Sequence, residues 1–63
     1  MRVYEFQREK RIQEVAGLIK EMSIAGEPMD KRKLILAISN RFNISKKTAG
    51  EYLGVAIYRN ELN

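Results

Sequence analysis

Two places in this chain set a side-chain oxygen directly ahead of a cluster of cations. Asp30 precedes Lys31, Arg32 and Lys33, and Ser45 precedes Lys46 and Lys47. Aspartate and serine both cap helix starts well, so each cluster predicts the first turn of a helix. That end of a helix is partially positive, and each cation there is unfavourable by about 0.3–1 kcal/mol. Both helices therefore begin against the dipole rule, and local rules broken together tend to mark function. Free backbone N–H groups beside lysines form an anion site suited to phosphate. The plainer alternative is a pair of solvated turns.

Gly50 and Gly54 stand one turn apart inside the second of these helices. Each costs roughly 1 kcal/mol relative to alanine. Bare backbone lets another backbone approach, which is either nucleic acid or a neighbouring helix. The same outward face carries Lys47, Glu51 and Tyr58, with Lys46 at its edge. Its polarity excludes it from the core. Glu51 offers an acceptor for cytosine N4, or a partner for Lys47 four residues earlier. Other chemistry is poorly supplied. There is no histidine and no cysteine, which argues against a metal site and rules out a disulfide. No glycine-rich phosphate loop occurs, and the carboxylates are scattered. We expect neither an enzyme nor a cofactor.

The elements that position these residues follow from spacing. Ile12, Val15, Ala16, Ile19 and Met22 mark one face of a first helix, over about residues 4–25. Arg8 and Arg11 interrupt that face, while Val3 and Phe6 point away from it. Gly26 stops the helix and Pro28 prevents its continuation. Leu34, Ile35, Ile38 and Phe42 give a second helix, over about 30–42, with Leu36 on its opposite side. Asn43 tolerates the left-handed conformation that ends a helix. Ala49, Tyr52, Leu53, Ala56 and Ile57 give a third, over about 45–60. Ile19, Ile38, Phe42, Ile44, Ala49 and Leu53 should be buried together. No strand is expected, and too little chain follows the third helix for a two-stranded wing. Residues 1–63 read as one all-α domain of three helices.

The segment from Ile38 to Leu53 resembles the helix-turn-helix of bacterial and archaeal transcription regulators. Ser39 is the small residue of the first helix, and Phe42 and Ile44 flank the turn. Asn43 stands where glycine is usual. Ser45 and Thr48 match the serine and threonine that open the second helix, and Ala49, Tyr52 and Leu53 are its packing positions. The resemblance covers about residues 30–57. It implies a wingless helix-turn-helix domain that binds double-stranded DNA sequence-specifically, with the helix after Ser45 entering the major groove. The candidate DNA-binding residues are Lys31, Arg32, Lys33, Ser45, Lys46, Lys47, Thr48, Gly50, Glu51 and Gly54. A helical module that binds protein, or a small component of an assembly, is the alternative.

Net charge is +4 on 63 residues and is unevenly spread. Between Lys31 and Gly50 no acidic residue occurs. So short a chain buries a modest core, which makes self-association an expectation. Val3, Phe6, Val55, Tyr58 and Leu62 are left outside the helical stripes and are the expected contacts of a homodimer. No apolar run is long enough to span a bilayer or to act as a signal segment, so the expected location is cytoplasmic.

Overall fold

Three helices account for most of the chain: α1 (Val3–Ala25), α2 (Lys31–Phe42) and α3 (Lys46–Leu62). The structure, a computed structural model, describes residues 3–62, with Tyr4 and Leu62 described through their backbone alone. No strand occurs among the described residues. No described helix is long and apolar enough to cross a membrane.

Each boundary has a local cause. Gly26 takes φ +75°, a left-handed conformation that suits glycine. The N–H of Gly26 then donates to Ser23 O at 3.2 Å and that of Glu27 to Met22 O at 3.0 Å. This pair of bonds satisfies carbonyls that the end of α1 would otherwise leave open. Asp30 caps α2 by accepting from the N–H groups of Arg32 and Lys33 at 3.1 and 3.3 Å.

The turn between α2 and α3 is pinned three times. Asn43 adopts φ 54°, ψ 51°, and its N–H donates to Ser39 O. The N–H of Ile44 donates to the same carbonyl at 3.1 Å. In return the Ser39 hydroxyl donates to Ile44 O at 2.6 Å. A small residue at 39 therefore does more than leave room, since its hydroxyl fastens the turn to α2.

α3 packs against both other helices, which approach each other less closely. The core is Ile12, Val15 and Ile19 from α1, Leu34 and Ile38 from α2, and Ala49, Tyr52, Leu53 and Ala56 from α3. These positions follow the three-or-four spacing of a buried helix face. Burying one such aliphatic side chain contributes roughly 1.5–3 kcal/mol. Phe42 and Ile44, expected fully inside, are half-buried against this core. They flank the turn, at the rim where the helices end. Ile57 is likewise half-buried.

Arg8 and Arg11 interrupt the apolar face of α1 for a visible reason. Arg8 lies over the Tyr52 ring, 5.8 Å from its centroid, and Arg11 lies over Phe42 at 5.6 Å. Their stems cover aromatic surface while the charged heads reach outward. Three polar ties join the helices. Arg41 Nε donates to Glu14 Oε2 at 3.1 Å. Arg59 grips Glu9 with two N–H groups, Nη2 donating to Oε1 at 2.9 Å and Nη1 to Oε2. Asn60 Nδ2 donates to Ala16 O at 3.3 Å.

Candidate nucleic-acid interface

α3 begins where the pinned turn releases the chain. Ser45 Oγ accepts from the N–H of Thr48 at 3.1 Å, and its hydroxyl donates to Thr48 Oγ1 at 3.0 Å. Ser45 O accepts the first helical bond, from the N–H of Ala49 at 2.9 Å. The cap is thus neutral, and α3 has no acidic residue in its first turn. Lys46 and Lys47 project from that turn into solvent. Among the described residues no carboxylate comes within ion-pair distance of either. The partial positive charge of the helix start and two ammonium groups therefore add, with nothing in the first turn to offset them.

The outward stripe of α3 is Lys47, Glu51, Gly54 and Tyr58, all exposed. Glu51 does not pair with Lys47. Ion pairs among the described residues are those of Arg41 with Glu14 and Arg59 with Glu9. Gly50 sits at the edge of the stripe and is half-buried, because α2 lies beside it. A Cβ there would meet Ile35 Cδ1 at 3.8 Å, an ordinary contact. A Cβ at Gly54 would meet nothing within 4 Å. Both positions have room for alanine, so intramolecular crowding does not explain either glycine.

The start of α2 differs in kind. Lys31, Arg32 and Lys33 are exposed, but the Asp30 carboxylate already occupies two of the backbone donors. Twelve residues of helix separate this end from the turn, about 18 Å at the helical rise. The fold therefore holds Lys31, Arg32 and Lys33 apart from Ser45, Lys46, Lys47 and Thr48. Arg32 shares the stripe of Ile35, which leans on Gly50. Lys33 shares the exposed stripe of Ala37 and Asn40.

The residues expected to meet a second copy are divided. Val3 (71%), Phe6 (49%) and Tyr58 (61%) are exposed. Lys10 lies over the Phe6 ring, 5.1 Å from its centroid. Val55 is half-buried and packs on the core. Leu62 lies outside the residues whose side chains are described. Ile24, 78% exposed on α1, is a large apolar side chain that the sequence reading passed over. Another overlooked feature is an open groove of about 350 Å³ between α1 and α2, lined by Gly17, Leu18, Ala37 and Phe42 with Glu14 and Glu21 on its rim.

The shifted titrations fall outside this interface. The Arg59 guanidinium, bonded to Glu9, holds that carboxyl below its usual range. Glu9 in turn raises Arg59. No protein-family model matches the chain, and no curated protein or solved structure matches it either.

Proposed function

We propose that this chain is a wingless helix-turn-helix domain that binds double-stranded DNA sequence-specifically and regulates transcription in the cytoplasm, without catalysing a reaction. The observation that carries this reading is the start of α3. It combines a neutral Ser45 cap, exposed Lys46 and Lys47, and no acidic residue in its first turn. A helix fits the major groove, and its first turns reach base edges. Lys46 and Lys47 contact phosphate, while Thr48, Gly50, Glu51 and Gly54 face the groove. The cations after Asp30, about 18 Å away, reach phosphates further along the backbone. Val3, Phe6 and Tyr58 supply apolar surface for a homodimer, which doubles the few base pairs that one short helix reads.

Salt-dependent binding to a mixed-sequence duplex tests the electrostatic part. Each phosphate contact contributes about 0.9 to the log–log salt slope. Replacing both Lys46 and Lys47 with alanine should flatten the slope by about 1.8 and weaken binding about 60-fold at 0.1 M salt. A slope unchanged by the double substitution removes α3 from the interface. Sedimentation at micromolar concentration tests the assembly, and a monomer there contradicts the homodimer.

A second reading is favoured by the groove between α1 and α2. Small residues at 17 and 37 and exposed Leu18 leave room there for an apolar side chain of a protein partner. On that reading the chain is a helical interaction module, and duplex binding is absent or indifferent to Lys46 and Lys47.

A further inference from the structure

We propose that Arg8 and Arg11 of α1 are phosphate-contacting residues that extend the interface at the start of α3. This rests on the DNA-binding reading of α3 given above. The two arginines are held by rings that belong to the other two helices. Arg8 lies over Tyr52, one turn after Thr48, and Arg11 lies over Phe42, three residues before Ser45. Both rings flank the turn end of the bundle, so the guanidinium groups gather near Lys46 and Lys47 and not near Lys31.

Neither arginine closes an ion pair with a described carboxylate. The contrast with the other two arginines that touch a neighbouring helix is direct. Arg41 also lies over Phe42, at 5.8 Å, but it is bonded to Glu14. Arg59 is bonded twice to Glu9. Those two are neutralised by partners within the fold, whereas Arg8 and Arg11 are oriented yet have no such counter-charge. A guanidinium resting on an aromatic ring has lost much of its freedom and keeps N–H donors at its edge, and its planar fork suits phosphate. The two residues that break the apolar stripe of α1 thus break it at the end of the molecule where α3 begins.

The competing account is structural: the arginine stems only shield Tyr52 and Phe42 from water. Binding of a short fluorescently labelled duplex of mixed sequence separates the two. The proteins compared are the full chain, Arg8→Gln/Arg11→Gln, Arg8→Met/Arg11→Met, and Lys46→Ala/Lys47→Ala. Methionine keeps an unbranched stem over each ring, so this pair stays folded if shielding is the main structural need. The proposal expects both arginine pairs to flatten the log–log salt slope by about 1.8, or about 0.9 for each lost contact. It expects the methionine pair to melt within a few degrees of the full chain. If the methionine pair is folded and its slope is unchanged, the arginines only shield, and the proposal is overturned while the lysine result still stands for α3. If the lysine pair leaves the slope unchanged but the arginine pairs flatten it, the arginine surface binds phosphate and the reading of α3 falls. A full chain that binds no duplex at any salt overturns both.

Discussion

The two capped helix starts look alike in sequence and differ in what they leave free. α2 opens with a carboxylate cap and three cations, and α3 opens with a hydroxyl cap and two. At α2 the Asp30 carboxylate accepts from Arg32 and Lys33 N–H groups and offsets the positive helix end. At α3 the Ser45 oxygen serves only Thr48, and no negative charge stands in the first turn. The charge on the cap therefore decides whether the lysines behind it are balanced from within. Counting basic residues alone would rank α2 first, while the cap geometry favours α3 as the stronger anion site.

Exchanging the caps sharpens this contrast most. Ser45→Asp keeps a capping oxygen and adds a carboxylate at the positive end of α3, so stability should rise by about 0.3–1 kcal/mol. Duplex affinity should fall about 8-fold at 0.1 M salt, as though one phosphate contact were lost. Asp30→Asn also keeps a good cap and removes the charge at α2, so affinity should rise. Thermal melting and duplex titration of the two variants check both directions. If the two starts contribute equally to binding, the two substitutions will shift affinity by equal and opposite amounts.

The second turns of the two helices differ in the same sense. Ile35 and Gly50 each lie five residues after their caps, and the Ile35 side chain flanks Gly50. α2 fills that position with a half-buried side chain, and α3 leaves it bare. Gly50→Ala should stabilise the protein by roughly 1 kcal/mol, because the new methyl meets Ile35 only at ordinary contact distance. The same methyl should weaken duplex binding if this part of α3 presses into the groove. A protein that melts higher and binds as well would place the DNA elsewhere.

Arg59, in the last turn of α3, completes the contrast with Lys46 and Lys47 in the first. Arg59 is matched by Glu9, which lowers the pKa of that carboxyl. A carboxyl whose pKa is lower in the folded state adds stability above its unfolded pKa and loses it as pH falls through the folded one. Glu9→Gln should therefore reduce the drop in Tm between neutral and acid pH, by a small amount because the pair is largely exposed. Lys46→Ala/Lys47→Ala should leave that drop unchanged. Equal drops for the Glu9→Gln and full-length chains would remove this ion pair from the acid response.

The features legible in the sequence were the ones with local causes. Gly26, Asp30, Asn43 and Ser45 each announce a helix boundary through their own backbone or cap chemistry, and each boundary falls within two residues of its expected place. The apolar spacing identified Ile12, Val15, Ile38 and Ala49 as core because helix period alone decides it. What escaped depends on how the helices cross. The ring partners of Arg8 and Arg11, and the Glu9–Arg59 and Glu14–Arg41 pairs, join different helices. Lys47 and Glu51 have the spacing of a helix pair, yet exposed side chains gain little by closing one. Phe42 and Ile44 read as core by pattern and are half-buried, because spacing does not show where a bundle ends.

The central claim is that the start of α3 is where the molecule meets DNA, and amide chemical shifts read it residue by residue. Titrating a mixed-sequence duplex into isotope-labelled protein should move the amides of Lys46, Lys47, Thr48, Gly50 and Glu51 most. Those of Lys31 to Lys33 should move less, and those of Gly17, Leu18 and Ala37 in the α1–α2 groove should stay in place. Shifts concentrated in that groove, or at Lys31 to Lys33 with the start of α3 unmoved, would contradict the account.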